Sequence, residues 1–190
     1  MTMSAGLKFK MVFKEQSLKG VFIIKPKIFH DDRGYFYESH KEDVFKQNLN
    51  CSFVQDNEVL SSDANVIRGL HYQLVNPQAK LIHVVSGSIK NVIVDIRTSS
   101  SSFGKSTSIN LNDKNHEMLF VPKGFANGYL VLEKNTIIQY KCTDYYNPKS
   151  EYGIRWDDPD ININWGSNSP IISQKDSKLP FFKDQKMLPR

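Results

Sequence analysis

The stretch Val66-Ile67-Arg68-Gly69-Leu70-His71-Tyr72-Gln73 opens on apolar residues, as a buried strand would, and then presents an arginine, a glycine and a histidine. Successive side chains of a strand point to opposite faces. That places Arg68, Leu70 and Tyr72 on one face and Gly69, His71 and Gln73 on the other. A histidine whose neighbours on its own face are small or polar reads as the lining of a cavity. The alternative is a core histidine satisfied by a backbone carbonyl. Gly69 would let another group approach the backbone closely.

On either side, the chain keeps to short apolar runs separated by turn residues. Upstream, Val21–Ile24 reads as a strand stopped by Pro26, and Asp31-Asp32-Arg33-Gly34 is a turn feeding the aromatic run Tyr35-Phe36-Tyr37-Glu38. Arginine beside aromatic rings suits a base and a phosphate; an edge strand with an exposed charge has the same spacing. Lys41–Asn48 is the best helix candidate, Phe53–Asn57 resumes strand character, and Ser61–Asn65 reads as a loop. Downstream, Lys80–Val85 and Asn91–Arg97 flank Ser86-Gly87-Ser88, which predicts a hairpin. Both runs are apolar at nearly every position, as in strands covered on two sides. Ser106–Leu111 and Met118–Val121 are further strands. Ala126–Leu132 and Thr136–Cys142 predict a second hairpin around Glu133-Lys134-Asn135. Ser173–Lys178 suits a helical turn. Many short strands with almost no helix predict an all-β sandwich or barrel, here a jelly roll with short peripheral helices, whose mouth could hold one ligand.

Composition agrees. The 190 residues, 39% hydrophobic and 12% aromatic, suit one globular domain over 1–190, with 1–15 as a peripheral extension. Met11 offers an internal start, which would make the first ten residues dispensable. The N-terminus has no apolar core of signal-peptide length, and no run nears the roughly 20 residues of a membrane span. Cys51 and Cys142 follow no metal or redox spacing and are expected as reduced thiols of a cytoplasmic protein. A formal charge of +5 with no basic block does not suggest nucleic acid, but it suits a small anionic ligand.

The chemistry narrows by elimination. A metal-dependent cupin needs a second histidine near the first and another after a Pro-x-Gly turn. Here His71 is followed by Tyr72 and Gln73, and Pro122-Lys123-Gly124-Phe125-Ala126 leads to Asn127. The ligand count therefore argues against a metal. Neither cysteine lies in an electropositive motif and no serine sits in a nucleophile elbow. Acid/base chemistry by His, Tyr, Lys and Asp remains, suited to abstracting a proton beside a carbonyl, with no cofactor.

The run Arg68-Gly69-Leu70-His71-Tyr72-Gln73 closely resembles the signature of the dTDP-4-dehydrorhamnose 3,5-epimerases, metal-free cupins of nucleotide-sugar biosynthesis. The resemblance extends in order through Asp32-Arg33-Gly34-x-Phe36, Gln55-Asp56-Asn57, Lys80-Leu81, Asp95-Ile96-Arg97, Pro122-x-Gly124-Phe125-Ala126, Tyr140-Lys141, Tyr145-Tyr146, Trp156-x-Asp158-Pro159 and Lys175-Asp176. It covers about residues 20 to 180. It implies a cytoplasmic homodimeric jelly roll acting on a nucleotide-diphosphate-linked 4-keto-6-deoxy sugar for bacterial surface polysaccharide. His71 matches the family's general base and Asp176 its partner. Lys80 matches the cation at the enolate oxygen, and Tyr140 the acid on the opposite face. Arg33, Phe36, Glu38, Gln55, Asn57, Arg68 and Tyr146 match positions that hold the nucleotide and sugar.

Two departures fall in the same region. Asn127 stands where the family has histidine and Asn91 where it has aspartate, a paired exchange that suggests contact and adds both to the substrate-binding set. Glu58-Val59-Leu60 also departs from the pattern. These changes leave open a dTDP-hexose or a GDP-4-keto-6-deoxy-heptose, and inversion at C3, C5 or both. Two other classes compete: a noncatalytic nucleotide-sugar-binding jelly roll, and a 3,4-ketoisomerase.

Overall fold

The computed structural model describes residues 11–190, so expectations for residues 1–10 lie outside the described residues. The chain runs β1 (Val12–Glu15), β2 (Phe22–Lys25), β3 (Phe29–Asp31), β4 (Gly34–Phe36), α1 (Glu42–Leu49), β5 (Gln55–Ser61), β6 (Val66–Gln73), β7 (Lys80–Ser86), β8 (Ser88–Asp95), β9 (Ser106–Asn112), β10 (Met118–Val121), β11 (Phe125–Val131), β12 (Thr136–Cys142), β13 (Glu151–Gly153) and β14 (Ile171–Ile172). Short 3-10 turns lie at Pro148–Ser150, Asp176–Lys178 and Phe182–Asp184.

Two sheets face each other. One has the order β1-β2-β10-β7-β12-β5 and the other β13-β6-β11-β8-β9, with β14 parallel to β6. From β5 to β8 the chain alternates between the sheets at every step, and it does so again from β9 to β13. This is the jelly roll that the spacing of short strands predicts.

The alternation overturns both expected hairpins. β7 and β8 flank Gly87 but lie in opposite sheets, as do β11 and β12 around Glu133-Lys134-Asn135. A tight turn is compatible with pairing or with crossing, and here burial decides. Ile82 and Val84 of β7 pack against Ile89 and Ile93 of β8 in the core between the sheets. Gly87, at φ +82°, sits against Thr136, where a Cβ would collide, and serves the crossing corner. β5 also continues past Asn57 to Ser61, the first residue of the expected loop, and pairs with β12 along its whole length.

The continuous apolar runs are explained by layers on the outer faces. Leu81, Met118 and Phe120 turn outward against Phe45 of α1, with Phe13 and Phe53 beside them. Helix α1 carries Glu42 and Asp43 in its first turn and ends at Asn50 in the left-handed conformation (φ 52°), whose N–H bonds the Lys46 carbonyl. On the other sheet, Ile67, Leu70, Val92, Val94 and Leu130 turn outward beneath the C-terminal segment, which contributes Ile154, Ile161 and Trp165. The β3–β4 hairpin stands apart as its own two-stranded unit.

Candidate active site

The central motif on β6 lines a cavity between the two sheets, with β11 beside it and β7 and β12 on the facing sheet. Opposite β11, His71 pairs with Asn127 while Arg68 pairs with Tyr129. Three steps along β6 therefore match two along β11, a bulge of one residue. This corrects the face assignment made from strict alternation. Arg68 and His71 line the same cavity, whereas Leu70 and Tyr72 pack outward. Gly69 makes the bulge possible: it adopts φ +107°, and a Cβ there would lie 2.7 Å from the Asn127 carbonyl oxygen and the Gly128 Cα.

The cavity has two adjoining lobes of about 470 and 310 Å³ that share His71, Lys80, Asn127 and Tyr140. Arg68, Tyr129, Lys175 and Asp176 line the larger; Gln55, Asn57, Tyr146 and Glu151 line the smaller. β6, β7, β11 and β12 thus supply the walls, and the segment after β14 supplies Lys175 and Asp176.

His71 Nε2 lies 2.9 Å from Asp176 Oδ1, and the second carboxylate oxygen accepts the Gly69 N–H at 3.1 Å. Asp176 is only 4% exposed. Burial opposes its ionisation, but the bonds from His71, Gly69 and Ser173 outweigh it and hold the carboxyl below its usual range. An ionised acceptor at Nε2 requires that nitrogen to carry a proton, and in the neutral ring this selects the tautomer whose Nδ1 is bare.

Across the cavity, Lys80 Nζ lies 5.8 Å from the centre of the Tyr140 ring. Burial pushes the Lys80 ammonium below its ordinary value. Burial likewise raises the Tyr140 phenol, and it pushes Tyr129 up to about 12. Both phenols keep their protons at neutral pH. The arrangement pairs a bare, oriented imidazole nitrogen with protonated phenols and a buried cation.

Most other expected residues join these four. Gln55 Nε2 donates to Asn57 Oδ1 at 2.9 Å, and the Tyr146 N–H donates to Gln55 Oε1 at 2.9 Å, fixing that wall. Asn127 Nδ2 donates to Asn91 Oδ1 at 2.6 Å and to the Val92 carbonyl at 3.1 Å. The two departures from the family pattern are therefore direct partners, with Asn91 fully buried beneath Asn127. Arg33, Phe36 and Glu38 are not brought to this cavity within one chain. Arg33 sits on the β3–β4 turn with its side chain 90% exposed and paired to Asp31 at 2.6 Å, and Phe36 lines a separate surface groove.

Sequence reasoning missed Glu151, Tyr129 and Lys175. Glu151 Oε1 lies 3.9 Å from His71 Nδ1, while Oε2 accepts Tyr146 Oη at 2.8 Å and Lys175 Nζ at 2.5 Å. Only the pairing of β13 with β6, which sets Gly153 opposite His71, brings Glu151 there. Among the described residues, no group of three or more His, Cys, Asp or Glu is placed to hold a metal. Nor is any described helix long and apolar enough to cross a membrane.

Fold and site together define a small-molecule jelly roll with an acid/base pocket. The model of the dTDP-4-dehydrorhamnose 3,5-epimerase family matches residues 15–184, and the chain belongs to that family. It is 46% identical over 168 residues to a dTDP-4-dehydrorhamnose 3,5-epimerase of Methanothermobacter thermautotrophicus, covering 86% of this chain and 90% of that one. A crystal structure of dTDP-6-deoxy-D-glucose-3,5-epimerase from Legionella pneumophila, in complex with dTDP-4-keto-L-rhamnose, superposes with a TM-score of 0.90 at 39% identity, covering 95% and 98% of the two chains. A 3'-monoepimerase from Streptomyces bikiniensis, in complex with dTDP-quinovose, superposes with a TM-score of 0.82 at 27% identity, covering 87% and 85%.

Proposed function

We propose that the protein inverts the carbons flanking the ketone of a dTDP-linked 4-keto-6-deoxyhexose, at C3 and C5. The observation that carries this reading is the His71–Asp176 bond of 2.9 Å facing Lys80 and Tyr140 across one cavity. A ketone at C4 acidifies the hydrogens at C3 and C5. His71 Nδ1 removes one of them, and the charge moves to the C4 oxygen. Asp176 stabilises the imidazolium that results. Lys80 stabilises the enolate, where a preorganised cation acts most strongly. Tyr140, still protonated, returns hydrogen from the opposite face, and opposite delivery inverts the centre.

Arg68 and Lys175 at the rim suit the diphosphate, with Gln55, Asn57 and Tyr146 along the smaller lobe. Arg33, Phe36 and Glu38 reach a site only if a second copy of the chain presents its β3–β4 hairpin, so the active unit is a homodimer. We place the enzyme in the cytoplasm, in surface-polysaccharide biosynthesis. A GDP-4-keto-6-deoxy-heptose is the second reading, favoured by the neutral Asn127–Asn91 pair in the pocket. The test is a panel of dTDP- and GDP-linked 4-keto sugars in D₂O, followed at C3 and C5 by NMR. Deuterium at both carbons of the dTDP-hexose supports the proposal. Deuterium at C3 alone makes the protein a monoepimerase, and a relocated carbonyl makes it an isomerase. Reaction only with the GDP-heptose moves the assignment there. No exchange with any sugar leaves a binding protein.

A further inference from the structure

Inversion by a base on one face and an acid on the other has a consequence in proton count. Each event leaves His71 with one proton too many and Tyr140 with one too few. Neither group can act again until it is reset. His71 Nε2 is committed to Asp176, so the extra proton must leave through Nδ1.

We infer that Glu151 is the outlet through which His71 discharges the abstracted proton to solvent, an inference that rests on the epimerase reading. The resting distance of 3.9 Å from Glu151 Oε1 to Nδ1 is too long for a hydrogen bond, so the nitrogen stays free to take hydrogen from carbon. Once Nδ1 is protonated, a shift of about 1 Å makes an N–H···O bond to the carboxylate. The N–H bond then breaks as the O–H bond forms, giving a neutral imidazole and a carboxylic acid. The acid releases its proton to water. Oε2 is held by Tyr146 and Lys175, both largely exposed, so the carboxyl group spans from the ring to the rim. Burial works against its ionisation, but the bonds from Lys175 and Tyr146 and the nearby His71 keep the carboxyl below its usual range. Such a group passes a proton on and does not retain it.

A merely structural Glu151 would pin Tyr146 and Lys175 and nothing more, and isotope bookkeeping separates the two roles. A dTDP-linked 4-keto-6-deoxyhexose is run in D₂O to low conversion, and deuterium is measured in the recovered substrate and in the product. With wild-type enzyme, same-face return from a discharged His71 places deuterium in the recovered substrate. Glu151→Gln keeps the shape but cannot carry the proton. Its ratio of substrate wash-in to product formed should fall at least ten-fold, and added formate should restore it in proportion to concentration. Tyr146→Phe keeps the carboxylate; it weakens the binding wall and lowers turnover, but the ratio, taken per product formed, should stay within two-fold. If Glu151→Gln does not fold, Glu151→Asp replaces it, with an intermediate fall expected. An unchanged ratio in the Glu151 variant, an equal loss in Tyr146→Phe, or wild-type enzyme that forms product while recovered substrate stays protiated overturns the inference. Absence of both exchange and conversion in the wild type overturns the epimerase reading instead.

Discussion

Asp176→Asn is the substitution whose effect the geometry specifies most closely. Oδ2 of Asp176 accepts the Gly69 N–H at 3.1 Å, so an asparagine must keep its carbonyl oxygen there. Its NH₂ then points at His71 Nε2, 2.9 Å away, as a donor where an acceptor stood. The imidazole responds by carrying its proton on Nδ1, which removes the base. A charge-assisted hydrogen bond contributes about 1.5–3 kcal/mol, or roughly 10- to 150-fold in rate. Loss of the correct tautomer adds to this, since a positioned base contributes about 10²–10⁴-fold. The expected result is a fall in kcat of roughly 10² or more with KM within a few-fold, measured by coupled assay or NMR on a dTDP-linked 4-keto sugar. Near-UV circular dichroism should be unchanged. A variant within three-fold of wild-type kcat would refute the assignment of Asp176 as the group that orients the base.

Three further outcomes follow from the same coordinates. Tyr140→Phe should slow inversion by at least 10²-fold while deuterium still enters the substrate, because His71 remains; equal loss of both removes Tyr140 as the opposite-face donor. Gly69→Ala should destabilise the fold by about 1–3 kcal/mol, read as a fall in Tm, because its Cβ meets the Asn127 carbonyl at 2.7 Å with φ at +107°. An unchanged Tm would show that the bulge relaxes freely. Asp95 is fully buried and bonded by Arg97, Ser100 and Ser102. Burial opposes its ionisation, yet those bonds drive the carboxyl far below its usual range. A depressed folded-state value means stability present at neutral pH and lost as pH falls below the ordinary carboxylate range. Asp95→Asn should therefore cost about 3 kcal/mol by urea unfolding at pH 6, and the gap to wild type should narrow at pH 3; a gap independent of pH contradicts the linkage.

The residues that make strands were legible, because alternation and turn chemistry act within a few positions. Which sheet each strand joins was not. Ser86-Gly87-Ser88 has the composition of a hairpin, yet the burial of Ile82, Val84, Ile89 and Ile93 against one another sends β7 and β8 into opposite sheets. In the same way, strict alternation misplaced Arg68, since a bulge depends on what the partner strand presents. For the site, the resemblance named His71, Lys80, Tyr140 and Asp176, and all four line one cavity. Glu151 carried no local signal: it sits beside His71 only through the register of β13 against β6. Arg33, Phe36 and Glu38 match the motif, but Arg33 and Phe36 lie on the β3–β4 hairpin with Glu38 just after it, and none of the three lines the cavity; a single chain's sequence does not say whose pocket a hairpin serves.

The central claim is that the Nδ1 nitrogen of His71 takes hydrogen from the carbons beside a sugar ketone. Deuterium entry at C3 and C5 of a dTDP-linked 4-keto-6-deoxyhexose, followed by NMR in D₂O for wild type and His71→Asn side by side, addresses it directly. The account predicts entry at both carbons with the wild type and none above the uncatalysed rate with the variant. Exchange in His71→Asn at a rate near that of the wild type would contradict it.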